Sequence, residues 1–262
     1  MPDDGRGVFA EERQERIAEY LSVRGRARVG ELTELLGVTE PTIRKDLTEL
    51  ERQRVLKRTH GGAILLRPVL EPALRTRDET QTDAKEEIAS ACLEEIADGS
   101  SIFLGSGSTI VRIARLLGDR DVNVLTNSIA VAEALARFPR IRHTVLGGQL
   151  RLDAGCFSGP VAIRALEQFT VNVAFLGVSG LSVEGISESD VGECELNAAV
   201  IDRARKVVVP ADHSKVGRTD FALIAPLERV DVVVTDAVSD TLVAACEEHT
   251  IDLRVVSPRA AV

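Results

Sequence analysis

Residues 102 to 117, IFLGSGSTIVRIARLL, combine a short apolar run, a turn of glycines and hydroxyls, and an amphipathic segment. Gly105, Ser106, Gly107, Ser108 and Thr109 stand where a strand would hand over to a helix. Free backbone N–H groups, three hydroxyls and the positive end of a helix dipole then meet at one point. An anion suits that point, and phosphate is its natural guest. Two better-known loops fail on spacing. A nucleotide-binding P-loop needs a lysine after its second glycine, where Ser108 follows Gly107, and a dinucleotide turn needs a third glycine, where Ile110 stands. A plain strand-to-helix turn rich in small residues would read the same, so the surroundings decide whether such a loop senses, catalyses or only connects.

A second constellation lies near the N-terminus, in TEPTIRKDL from Thr39 to Leu47. Thr39 suits an N-cap and Pro41 the first turn, and Ile43, Leu47 and Leu50 fall on one stripe of a helix running to about residue 53. With that stripe inward, Glu40, Thr42, Arg44 and Lys45 are largely outward. Arg44 then has the chemistry to read guanine edges and Lys45 to meet a phosphate. Downstream, VLKRTHGGAILL reads as a hairpin, with Gly61 and Gly62 able to take the positive φ of a tight turn. Its Arg58 and His60 would add contacts to a nucleic-acid backbone.

These side chains need elements to hold them. Residues 11–24 predict a first helix with Ile17, Tyr20 and Leu21 on one face, and 29–36 a second with Leu32, Leu35 and Leu36 inward, broken by Gly37. Helix, glycine turn, helix and hairpin in that order are the sequence picture of a winged helix-turn-helix, whose later helix enters the major groove. A three-helix interaction module with a merely solvated basic face has no need to combine cap, turn, basic face and wing.

From residue 84 onward helices and strands alternate. Helices are expected at 84–97, 109–117, 128–137, 160–168, 193–204 and 239–248, and strands at 101–104, 122–125, 141–146, 171–176, 206–209, 231–234 and 252–256. That rhythm predicts a mostly parallel α/β sheet. Asn127 and Ser128 would follow one of its strands and open a helix, the place where such sheets bind ligands. Between the two regions, RPVLEPALRTRDETQTD has two prolines and many polar residues and reads as a linker. The expected domains are therefore 10–67, a linker at 68–83, and 84–262.

The chain has 262 residues, 44% hydrophobic, with a net charge of −9. The acid is unevenly spread: residues 1–67 hold 13 basic and 12 acidic side chains, while residues 41–67 alone hold seven basic and three acidic. A locally basic face on an acidic chain fits a polyanionic partner for one region only. No run reaches the roughly 18 apolar residues of a membrane span and no secretory signal opens the chain, so a cytoplasmic protein without membrane partner is expected. Cys92, Cys156, Cys194 and Cys246 are scattered, with no histidine at ligand spacing, and read as packed thiols; neither metal nor cofactor is expected.

Residues 13–66 resemble the winged helix of the DeoR family of bacterial transcriptional regulators. Its recognition helix is close to S-x-x-T-[IV]-R-R-D-L and its wing to R-x-H-G-G-A, against TEPTIRKDL and RTHGGA here. Thr39 for serine and Lys45 for arginine keep the chemical type. The likeness continues through FLGSGST, VLTNSIAV, LGGQLR, FSGP, AFLGVSGLSVEGIS and PADHSKVGR. It implies a C-terminal domain similar in fold to ribose-5-phosphate isomerases that binds a phosphorylated sugar or related metabolite as effector. Carried over residue by residue, the pocket comprises Gly105, Ser106, Gly107, Ser108, Thr109, Asn127, Ser128, Gly147, Gly148 and Lys215, the lysine as a point charge for phosphate. Gly105 replaces a frequent aspartate of the family, and Asn197 a frequent lysine.

The competing reading is an isomerase-like enzyme, since GSGST also resembles that loop in the isomerases themselves. Isomerisation needs a positioned base. Those enzymes carry theirs in segments close to D-G-A-D-E and a lysine before a glycine run, and neither is present; Glu184, Glu188 and Asp190 lie in GLSVEGISESD in another order. The expectation is thus a non-enzymatic regulator, a repressor of sugar or carbohydrate genes, with an activator of the same build as alternative. It would act on a double-stranded DNA operator as a homodimer or homotetramer, with no catalytic residue.

Overall fold

The computed structural model describes residues 13–257 apart from 15, 19, 22–25, 53–54, 60 and 66–81. The chain divides into two compact units, Met1–Pro72 and Ala73–Val262.

In the first unit, positions 13, 14, 16–18, 20 and 21 are helical, followed by helices Val29–Leu36 and Glu40–Arg52. Gly37 ends the middle helix at φ 63° and donates its N–H to Thr33 O at 3.0 Å, a left-handed cap that costs a glycine little. Strands β1 (Arg26–Arg28), β2 (Leu56–Thr59) and β3 (Gly62–Leu65) form an antiparallel sheet in the order β1-β3-β2. Ile17, Leu21, Leu32, Ile43, Leu47 and Leu56 pack as its core.

Three expectations change here. Leu35 is 53% exposed, because the inward stripe of its short helix runs Val29, Leu32 and Leu36 and position 35 lies about 100° off it. Strand β1 was not anticipated; Arg-Ala-Arg has no pattern of its own and forms a strand because β3 offers it a partner. Gly62 does not take a positive φ. It is required by close approach, since a Cβ there would stand 1.9 Å from the Ala27 carbonyl oxygen of β1.

The second unit contains β4 (Ser101–Leu104), β5 (Asn123–Thr126), β6 (Arg142–Val145), β7 (Gln149–Arg151), β8 (Cys156–Ser158), β9 (Val173–Phe175), β10 (Gly180–Ser182), β11 (Gly185–Glu188), β12 (Val207–Ala211), β13 (Ala222–Ala225), β14 (Val232–Thr235) and β15 (Asp252–Val255). Seven of them make one parallel sheet in the order β15-β14-β12-β9-β4-β5-β6. Helices Thr82–Cys92, Ser108–Leu116 and Ile129–Leu135 cover one face, packing Ile88, Ile110 and Val131 on Ile102, Val124, Phe175 and Val208. Helices Gly159–Leu166, Val191–Ile201 and Asp240–Glu248 cover the other, packing Leu166, Leu196 and Leu242 around Phe103, Leu125, Val209 and Val233. Burial on both faces is why the central strands read as unbroken apolar runs. No helix among the described residues is long and apolar enough to cross a membrane.

The helix expected at 84–97 starts at Thr82 and turns into a 3-10 segment, Leu93–Glu95. The hairpin β7–β8 and the antiparallel sheet β10-β11-β13 were not anticipated. Their strands are three or four residues long, too short for an alternating pattern to show. The chain enters the large sheet at β4, builds outward to β5 and β6, then returns across β4 to β9, β12, β14 and β15. Strand order therefore reverses between β4 and β9, the position where open parallel sheets leave a crevice at their carboxyl ends.

Candidate functional site

The first candidate is the exposed face of helix Glu40–Arg52. Thr39 caps it through its carbonyl, which accepts from Thr42 N at 3.0 Å and Ile43 N at 3.1 Å, while its hydroxyl meets that of Thr42 at 3.0 Å. Arg44 and Lys45 are exposed and Thr42 is half-buried at the same end. Arg44 Nη2 lies 3.2 Å from Glu40 Oε2, one turn away, an exposed pair that holds it only weakly. On the wing, Arg58 donates its backbone N–H to Glu51 at 2.8 Å and Nη1 to the Thr48 hydroxyl at 2.8 Å, so it is tied to the helix it adjoins. His60 lies outside the described residues.

Sequence reasoning missed Asp46. It is 2% exposed on the inward stripe and accepts from Arg13 Nε at 2.6 Å and Nη2 at 3.0 Å, with Gln14 Nε2 at 3.4 Å. This forked pair locks the first helix to the basic one, and Asp46 in turn raises the Arg13 pKa through that hydrogen bond. The signal was available: an acid three residues after Ile43 falls on the buried face.

The second candidate is the crevice at the carboxyl ends of β4 and β9. Gly105 donates its N–H to Phe175 O at 3.1 Å, Gly107 takes φ 119° ahead of helix Ser108–Leu116, and Ser108 and Thr109 are buried in its first turn. Gly177 closes the loop's other side, where a Cβ would stand 2.0 Å from Ser106 O. Next door, Leu104 pairs with Thr126, so Gly105 and Asn127 begin adjacent loops. Ser128 caps helix Ile129–Leu135 by accepting from Val131 N at 3.4 Å. Asn127 donates Nδ2 to Phe157 O at 3.0 Å, and its Oδ1 is buried without a partner.

Facing this loop is a charged network that the sequence did not reveal. Ser106 Oγ donates to Glu193 Oε1; Glu193 Oε2 accepts from Arg151 Nη1 at 2.5 Å; and Asp153 holds Arg151 through two bonds of 3.1 Å. Burial works against the Arg151 charge, but Asp153 and Glu193 outweigh it and raise its pKa. The Cys156 thiol lies in the same cluster, and burial followed by the Glu193 charge pushes its pKa up. Asp190 Oδ1 accepts from Glu193 N at 2.9 Å, the cap of helix Val191–Ile201. An acid three residues after an aspartate is a helix-start signature, and it was legible in DVGE.

The remaining expected residues lie on other loops, Gly147 and Gly148 after β6 and Lys215 after β12. Gly147 is exposed; Gly148, at φ 151°, would place a Cβ 2.6 Å from Ser158 O, so it serves the approach of hairpin β7–β8 to helix Gly159–Leu166. Lys215 is half-buried after β12, two strands from β4 on the same edge. Its N–H donates to Asp212 O at 2.9 Å and its carbonyl accepts from Leu181 N at 2.9 Å. Asp212 is buried, bonded to Ser214 and 3.8 Å from the buried Lys85 Nζ. The adjacent His213 has its pKa raised by its hydrogen bond to Asp236. Of the acids weighed for catalysis, Glu184 is exposed, Glu188 is turned to its neighbour's N–H at 3.1 Å, and Asp190 is the cap just described. All four cysteines are buried, free thiols.

The chain matches the DeoR-like helix-turn-helix domain over residues 13–69 and the DeoR C terminal sensor domain over residues 80–237. It is 34% identical to the glycerol-3-phosphate regulon repressor of Escherichia coli K12, over 86% of this chain and 90% of that protein. It is 30% identical to the lactose phosphotransferase system repressor of Streptococcus mutans, over 92% and 97%. Ribose 5-phosphate isomerase A of Methanocaldococcus jannaschii aligns at a TM-score of 0.40 and 21% identity over 52% of this chain and 55% of that one, a likeness too slight to speak to function. With both of the family's domains present in order, this chain belongs to the DeoR family of DNA-binding transcriptional regulators.

Proposed function

We propose that the protein is a repressor of carbohydrate-metabolism genes whose grip on its operator is set by a phosphorylated sugar-type metabolite. The observation that carries the reading is the GSGST loop at the reversal point of the parallel sheet, with helix N–H groups and hydroxyls gathered there. Relatives whose names specify a glycerol-3-phosphate regulon and a lactose phosphotransferase system support the metabolite class. On this reading residues 10–67 bind DNA through Thr39, Thr42, Arg44, Lys45, Arg58 and His60, residues 68–83 link, and residues 84–262 sense. Gly105 to Thr109 and Ser128 hold the phosphate end of the metabolite, Asn127 lines the same pocket, and Lys215 supplies charge from the same edge. Gly147 and Gly148 shape the adjoining hairpin.

The mechanism is linkage: the effector binds one arrangement of a homodimer or homotetramer better, and a coupling of about 1–3 kcal/mol shifts how paired recognition helices match successive major grooves roughly 34 Å apart. The test is fluorescence anisotropy of the protein on labelled DNA from upstream of its own gene, at fixed salt because counterion release alone moves affinity by orders of magnitude. Specific binding altered by one of a panel of sugar phosphates is the expected result. No specific binding, with a sugar phosphate consumed instead, would make the loop an active site and overturn the proposal.

A further inference from the structure

The effector pocket contains two hydrogen-bond acceptors that a phosphate does not satisfy. One is Glu193, 2% exposed, whose carboxylate meets Ser106 of the loop on one side and Arg151 on the other. The second is Asn127, 1% exposed. Its orientation is fixed, because only the NH2 end can donate to the Phe157 carbonyl, 3.0 Å away. The other end, Oδ1, is therefore a buried acceptor with no donor. The two belong to one patch: Ser128 bridges to Cys156, and the Cys156 thiol lies against both Ser106 and Glu193.

Opposite chemistries thus belong to adjoining segments. The loop presents donors, namely the first-turn N–H groups of helix Ser108–Leu116 and the Ser108 and Thr109 hydroxyls, and these call for an anion. Glu193 and Asn127 present acceptors. A bare phosphate dianion brings acceptors only, and its charge is repelled by Glu193. A molecule that meets both walls carries its phosphate at one end and hydroxyl or ammonium groups a few bonds away.

We propose that Glu193 and Asn127 are the specificity-determining residues of this pocket, accepting hydrogen bonds from the hydroxyl groups of a phosphorylated polyol or sugar while the loop takes its phosphate. Arg151, clamped by Asp153, is the positioning residue that holds the Glu193 carboxylate in place. This assignment rests on the effector pocket set out under Proposed function.

The test is calorimetric titration of the full-length protein with inorganic phosphate, glycerol 3-phosphate, glucose 6-phosphate and fructose 1-phosphate. The wild type is expected to bind one of the esters at least tenfold more tightly than phosphate. Glu193→Gln keeps the size of the side chain and an acceptor for Ser106 but removes the charge. It is expected to bind that ester about tenfold more weakly and phosphate somewhat more tightly, opposite changes that a damaged fold cannot produce. Asn127→Ala is expected to lower the ratio of ester to phosphate affinity in the same direction. If the wild type binds neither phosphate nor any ester, the pocket reading itself fails. If it binds phosphate and esters alike, or both variants keep the wild-type ratio, or Glu193→Gln loses every ligand equally, the pocket reading stands and the specificity assignment is overturned.

Discussion

Arg44 and Asp46 sit two residues apart on one helix and answer to different physics. Arg44 is outward and restrained only by an exposed pair with Glu40, which a guanine edge or phosphate replaces at little cost. Arg44→Ala is expected to weaken specific operator binding by about 1–3 kcal/mol, the worth of one good base contact, while effector affinity is unchanged. Equal operator binding by the variant in an anisotropy titration would remove Arg44 from the readout. Asp46 is a fold residue. Its Arg13 partner is 11% exposed, so Asp46→Ala removes a forked ion pair from a largely buried guanidinium. The expected loss is about 3 kcal/mol, the lower end for a broken buried pair because Arg13 can partly reach water. Urea denaturation measures it, and a change under about 0.5 kcal/mol, the range of ordinary surface substitutions, would show that the pair contributes nothing net.

Among elements, the loop after β4 depends on its neighbour more than on its own sequence. Gly177, in the loop after β9, leaves no room for a Cβ, which would stand 2.0 Å from the Ser106 carbonyl oxygen. Gly177→Ala therefore forces the two loops apart at the reversal point. Binding of a phosphate ester is expected to fall more than tenfold while operator binding without effector is retained. An alanine variant with wild-type ester affinity would mean that the loop tolerates displacement. Gly105 tells the milder story: its Cβ would stand 3.3 Å from Phe175 O, so the aspartate frequent in the family needs only a few tenths of an ångström there. The hairpin β7–β8 is the element that sequence reading lost. Its three-residue strands are defined by pairing with each other, and they deliver Arg151 to Glu193 across 42 positions of sequence.

For the whole molecule, linkage makes a demand that no single site can meet. Whatever factor the effector imposes on operator affinity, the operator imposes on effector affinity. Lys215→Ala is expected to reduce effector affinity and to shift the effector concentration at which operator binding changes, leaving effector-free operator affinity unchanged. Titrations of effector with and without operator DNA check this, and an unshifted midpoint would take Lys215 out of the pocket. The uneven charge of the chain suits the proposed division of labour, with a basic excess within residues 41–67 suited to a polyanion and the acidic remainder discouraging nonspecific DNA contact.

The linear sequence determined what depends on near neighbours. Helices begin and end at caps and glycines, amphipathic stripes need only a few turns, and TEPTIRKDL, RTHGGA and FLGSGST carry the family because their residues act within one element or across a single turn. It also ordered the strands along the chain without ordering them in space. Only the tertiary structure decided that β9 returns beside β4, and from that follow the place of Gly177 and the meeting of Ser106, Arg151 and Glu193 from three separate segments. Leu35 and β1 followed the same rule: one was expected inside because it is apolar and the other was missed because it has no pattern, and packing partners settled both. Local periodicity reports burial only for a single helix or strand, whereas an ion pair or a close approach depends on which distant segment lies opposite.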